Sequence, residues 1–79
     1  LLGYIEALGG ASNIQVVDSC ATRLRLTLVS SAMVDAAGLQ KLGARGVITP
    51  TATTAQVVVG PEVERLADQL RAILSRAKP

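Results

Sequence analysis

The sequence predicts an α+β domain: a four-stranded antiparallel sheet with three helices packed on one face, a split two-layer sandwich in the order αββαββα. Three observations lead there. Thr22 to Leu28 alternates strictly, with Leu24, Leu26 and Leu28 on one side and Arg23, Arg25 and Thr27 on the other. That period of two marks a strand with one buried face, the habit of antiparallel sheets. Near the C-terminus Val63, Leu66, Leu70, Ile73, Leu74 and Ala77 recur at helical spacing, as on a helix packed along one stripe. Between and around these, a strand-strand-helix unit occurs twice behind an opening helix.

Each element has its own local cause. Leu1, Ile5 and Leu8 carry a first helical stripe, widened by Ala7 and stopped by Gly9-Gly10, since paired glycines favour the left-handed geometry of helix ends. Asn13 to Asp18 reads as a strand, with Ile14 and Val16 on one side and Gln15 and Val17 on the other. A polar break at Ser19-Cys20-Ala21 separates it from the strand starting at Thr22, so the two form a hairpin with Cys20 at its tip. Asp35 caps a helix running to about Leu42, with Gly43 just past its end. Gly46–Thr49 and Ala55–Val59 are two further strands joined through Pro50-Thr51-Ala52-Thr53. Gly60-Pro61 opens the last helix, with Pro61 in its first turn and Arg65, Arg71 and Arg76 away from its apolar stripe.

Composition sets the outer limits. Of 79 residues, 49% are hydrophobic, enough for one globular core. At this size about 60% of the unfolded surface is hidden, so that core is thin. There is no His, Phe or Trp, and Tyr4 is the one aromatic; histidine catalysis and histidine ligation are excluded. A lone Cys builds neither a disulfide framework nor a zinc site, so neither metal nor cofactor is expected. The net charge of +2 is too small, and the chain too poor in aromatics, for nucleic-acid binding by base stacking. No apolar run reaches the roughly 18 to 20 residues that cross a bilayer. The start at Leu1, without Met, leads us to expect one domain, residues 1–79, from a larger protein.

The chemistry-bearing residues are concentrated in Asp18-Ser19-Cys20-Ala21-Thr22-Arg23-Leu24-Arg25. A free cysteine is most often a small buried hydrophobe, but Cys20 falls in a polar turn, where its thiol is reachable. A thiol attacks as thiolate, a form that nearby cations favour, and Arg23 and Arg25 share one face of the next strand. Guanidinium forks also match phosphoryl oxygens, and the turn at Ala21 and Thr22 offers backbone N–H donors and a hydroxyl. Together these are the parts of a phosphocysteine site, because phosphoryl transfer asks mainly for positioning and charge stabilisation. Taken alone, the two arginines read as a solvated strand face; Cys20 beside them changes that weighting. Asp18 is a candidate supporting residue that orients the turn or caps an amide, although a carboxylate so close opposes thiolate formation. A tyrosine-phosphatase-type loop is excluded, since four residues instead of five separate Cys20 from Arg25 and a strand follows. No Gly-rich phosphate loop occurs.

Asp18 to Leu26 resembles the phosphorylation-site motif of the B domain of enzyme II, EIIB, in the glucose and N-acetylglucosamine branch of the bacterial phosphoenolpyruvate-dependent sugar phosphotransferase system. Ser19 stands where that family usually has Ala. The resemblance extends through Asn13-Ile14, Asp35 to Leu39, Leu42 to Val47 and Gln56 to Pro61. It implies that Cys20 accepts a phosphoryl group from a phosphohistidine on the A domain and passes it to a sugar bound in the membrane C domain. Arg23 and Arg25 would serve the second step, and Ala21 and Thr22 the phosphate loop. It further implies transient partner contacts and a cytoplasmic domain of a bacterial inner-membrane transporter, itself not inserted in the membrane. The segments Ala44–Gly46 and Gln56–Pro61 look closer to the N-acetylglucosamine type. The alternative of another class is a non-catalytic regulatory or interaction module with an idle Cys20, against which the complete Cys-x-Thr-Arg-Leu-Arg string speaks. A small RNA-binding domain is disfavoured by the missing aromatics.

Overall fold

Both short helices end in the same way. Helix α1 (Leu2–Ala7) is closed by Gly9 N–H donating to the Glu6 carbonyl (3.0 Å) and Gly10 N–H to that of Ile5 (2.8 Å). Helix α2 (Ala36–Lys41) repeats the pattern with Gly43 to Gln40 (3.1 Å) and Ala44 to Leu39 (3.0 Å). These paired bonds form the Schellman end of a helix, which needs a left-handed residue; Gly9 and Gly43 supply it with φ of 98° and 111°. Gly9 is doubly required, because a Cβ there would stand 2.6 Å from the Asn13 amide nitrogen and 2.8 Å from the Met33 Cβ. Asp35 caps α2 as expected, its carboxylate accepting from Gly38 N–H at 3.0 Å. The computed structural model describes residues 2–77; the roles expected of Leu1 and of the Ala77 side chain lie outside the described residues.

The elements follow the order expected of the sequence. After α1 come β1 (Ile14–Cys20) and β2 (Arg23–Leu28), then α2, then β3 (Gly46–Thr51) and β4 (Thr54–Val58), and last α3 (Val63–Ala77). The four strands form one antiparallel sheet in the spatial order β1-β2-β4-β3, which the sequence pattern alone does not give. Leu24, Leu26 and Leu28 of β2 and Val57 of β4 face the helices and are buried, meeting Leu8, Leu39, Val63, Ala67 and Leu70. Each fully buried leucine contributes about 2 kcal/mol of transfer free energy. Among the described residues, no helix covers the opposite face of the sheet.

Four details depart from expectation. First, β1 and β2 shift register between Ile14 and Val16, so Gln15 is a bulge and Val17, rather than Val16, faces the core; Val16 is 52% exposed and Val17 7%. A strict period of two cannot foresee an inserted residue. Second, β1 continues through Cys20, and the turn is the pair Ala21-Thr22. Third, α3 starts at Val63, after a turn in which Val63 N–H reaches the Gly60 carbonyl at 3.2 Å; Pro61 thus precedes the helix. Fourth, Pro50 lies inside β3, an edge strand, beside a register shift between Ile48 and Thr51, a position where its missing N–H is tolerated.

Among the described residues one polar side chain is buried, and both of its polar atoms are engaged. Asn13 is 2% exposed. Its amide nitrogen donates to the Leu8 carbonyl (2.7 Å) and the Ser30 carbonyl (3.0 Å), and its oxygen accepts from Ser30 N–H (2.9 Å). It therefore ties the end of α1 to the segment leaving β2.

Candidate functional site

Cys20 and Arg23 are cross-strand partners at the last rung of the β1–β2 hairpin, and Asp18 and Arg25 are partners two residues back. Residues directly opposite one another share a face. Because Leu24 and Leu26 point into the core, Cys20, Arg23, Asp18 and Arg25 all lie on the helix-free face. Cys20 is exposed, as are both arginines. The strand alternation that built the core thus also sorted the sulfur and two cations onto one surface.

The turn between them is tight and strained. Ala21 takes φ of 53°, a left-handed conformation that costs an L residue with a Cβ about 1–2 kcal/mol. Among the described residues, neither Ala21 N–H nor Thr22 N–H has a hydrogen-bond partner, so both donors remain free beside Cys20. The Thr22 carbonyl is occupied: it accepts from Val59 N–H (2.9 Å) and Gly60 N–H (3.0 Å). The hairpin tip is thereby pinned to the segment between β4 and α3, and the strain at Ala21 is held in place from outside the hairpin.

Asp18 engages a neighbouring amide and a cation. Its Oδ1 accepts from Ser19 N–H at 2.8 Å and lies 3.7 Å from the Arg71 guanidinium. This is the amide-capping role, with an added cation. Arg71 itself donates from Nε to the Val17 carbonyl (2.8 Å) and from Nη1 to Asp68 (3.0 Å). The sequence stripe placed Arg71 away from the core; the structure shows it at the stripe's border, reaching over the free edge of β1. Position 71 lies four residues after buried Ala67 and three before buried Leu74, near enough for a long side chain to fold back.

The arginines differ in their engagement. Arg23 Nη1 donates to the Oε1 of Gln56 at 3.1 Å, a contact not foreseen because it depends on β2 pairing with β4. Arg25 makes no ion pair among the described residues. Arg25, Gln56, Asp18, Val16 and Pro50 line an open groove of about 430 Å³ on this face. Val16, 52% exposed, adds apolar area to the groove, and Ile48, the cross-strand partner of Gln56, is 47% exposed. Among the described residues no group of His, Cys, Asp and Glu is arranged to hold a metal, and no helix is long and apolar enough to cross a membrane.

Comparison with known proteins gives a consistent result. A family profile described as phosphotransferase system, EIIB, matches residues 3–35. A Bacillus subtilis (strain 168) protein, the PTS system N-acetylglucosamine-specific EIICB component, is 50% identical over 68 residues, 86% of this chain and 15% of its own length. The N-acetylglucosamine-specific EIICBA components of Klebsiella pneumoniae and Escherichia coli (strain K12) are 42% and 41% identical over 73 residues. Each alignment covers 92% of this chain and 11% of the relative. The chain thus spans about one-seventh or less of the length of these curated relatives.

Proposed function

The chain belongs to the EIIB family of the phosphotransferase system, and from that premise we propose that it is a phosphoryl carrier in sugar uptake, with Cys20 the residue that is phosphorylated. Residues 1–79 form one such domain of a larger membrane permease. The donor is a phosphohistidine on an A domain, and the acceptor is a sugar held in a membrane C domain. The names of the relatives point to N-acetylglucosamine as that sugar. The carrier acts on the cytoplasmic side and needs no sugar pocket of its own, since each partner brings half of the reaction.

The chemistry is two in-line displacements. In loading, the Cys20 thiolate attacks phosphorus, an S–P bond forms, the P–N bond breaks, and the electron pair stays on the imidazole nitrogen. In delivery, a sugar hydroxyl oxygen attacks phosphorus, the S–P bond breaks, and sulfur leaves as thiolate; the hydroxyl proton passes to a base of the acceptor domain. Ala21 N–H, Thr22 N–H and the Thr22 hydroxyl cradle the phosphoryl oxygens, while Arg23 and Arg25 offset the charge of the transferring group during delivery. Asp18 supports the site by holding the strand end instead of touching the phosphate. Loading adds about −1.5 to −2 charges, which takes the domain from +2 to near neutral and biases partner exchange. Contacts with both partners are transient and modest in area.

The observation that carries this reading is the exposed Cys20, opposite Arg23 and beside two free backbone donors. The test is alkylation before loading. Iodoacetamide should modify Cys20 in the folded state, and the blocked protein should accept no label from a phosphorylated A domain. Undiminished labelling of fully alkylated protein would remove the phosphocysteine.

A further inference from the structure

Building on the phosphocysteine reading, we infer that Gln56 is the positioning residue for Arg23, orienting its guanidinium for the delivery step. Gln56 is the cross-strand partner of Arg25, on β2, and of Ile48, on β3. It is half-buried between them, which makes it a steadier anchor than an exposed arginine. Yet its side chain engages the arginine two residues nearer the hairpin tip: Oε1 accepts from Arg23 Nη1 at 3.1 Å.

The inventory of donors makes this contact directional. Arginine offers only donors, so the amide oxygen must face Arg23, and the amide NH2 has no acceptor to meet on Arg25. The carboxamide therefore holds one guanidinium while engaging nothing on the other. With Nη1 occupied, the Nε–Nη2 edge of Arg23 stays available as a fork for two phosphoryl oxygens. Arg23 is also the residue directly across from Cys20. An unanchored arginine carries about 2 kcal/mol of rotamer entropy, part of which must be lost when it meets the migrating group. Gln56 removes much of that freedom before the partner arrives, and transfer by positioning benefits from such prior ordering.

The experiment uses the full-length protein, a phosphorylated A domain and N-acetylglucosamine as the acceptor probe. It compares wild type with Q56M, which keeps volume but loses the acceptor, and Q56E, which keeps it. Loading of Cys20 in Q56M should stay within about twofold of wild type, while sugar phosphorylation falls about tenfold or more, the scale of a misplaced reactive group. Q56E should recover most of the delivery rate. In an R23A background Q56M should cause no further loss. Independently of transfer, the Arg23 Nε–Hε resonance should report a guanidinium that rotates slowly in wild type and Q56E and freely in Q56M. Normal delivery by Q56M, or an equal loss in the R23A background, overturns the inference. Should wild type never load at Cys20, the phosphocysteine reading fails separately; an Arg23 resonance unchanged by Q56M would then still overturn the role of Gln56.

Discussion

Arg71 bonds the Val17 carbonyl at 2.8 Å, and through this contact the longest helix grips the strand that ends in Cys20. β1 is an edge strand, with β2 as its one neighbour in the sheet. A long cation laid over such an edge satisfies an outward carbonyl and discourages pairing with another chain. Asp18 and Asp68 complete the brace from either side.

R71M should therefore lower stability by about 1 kcal/mol, less than a buried charge-assisted bond because the Arg71 side chain is 44% exposed and its charge is screened. Urea unfolding at low and high salt is the measurement. We expect a smaller penalty at high salt, with Cys20 still alkylated at its wild-type rate.

Asn13 should be far more costly to replace. N13A leaves the Leu8 and Ser30 carbonyls and the Ser30 N–H without the partner they have in the native fold. A loss of about 3 kcal/mol follows from unsatisfied buried groups, a large share of the stability of so small a domain. Chemical denaturation should show the shift in midpoint with an unchanged slope.

Neutralising Arg23 or Arg25 should separate the two halves of the reaction. R23Q and R25Q are expected to load at rates within a few-fold of wild type and to deliver to sugar at least about tenfold more slowly, given the charge they offset at the moving group. Radiolabel on the protein, followed by a chase into sugar phosphate, reads both steps. Equal loss in both would mean that the arginines act on loading or folding.

Tyr4 gives an alkaline limit to stability. Its phenol, bonded to the Leu42 carbonyl at 3.4 Å, is pushed above its ordinary value of 10.0, first by burial and second by the Glu62 carboxylate. The folded state therefore holds this proton where the unfolded chain gives it up. The resulting stability is fully present below pH 10 and is lost as pH rises through the higher folded value. Unfolding free energies measured between neutral and strongly alkaline pH should fall more steeply for wild type than for Y4F.

Much of this architecture is legible in the sequence because local rules act where it is strictest. The Leu24-Leu26-Leu28 alternation, the Asp35 cap and the glycines after α1 and α2 each name one element and its limits. What escapes are features decided by pairing across distance. The bulge at Gln15, the β2–β4 partnership that brings Gln56 to Arg23, and the reach of Arg71 over β1 leave no periodic trace. For the site, the Cys-x-Thr-Arg-Leu-Arg string already groups sulfur and cations. Only the register shows that Cys20 closes the ladder opposite Arg23, and only the backbone dihedral shows that Ala21 carries the strain of the turn.

The most direct test of the phosphocysteine is mass spectrometry of the chain after incubation with a phosphorylated A domain. The result we expect is a single phosphoryl increment, confined to the peptide containing Cys20 and absent from the C20S variant. An increment that persists in C20S, or that maps to another residue, would contradict it.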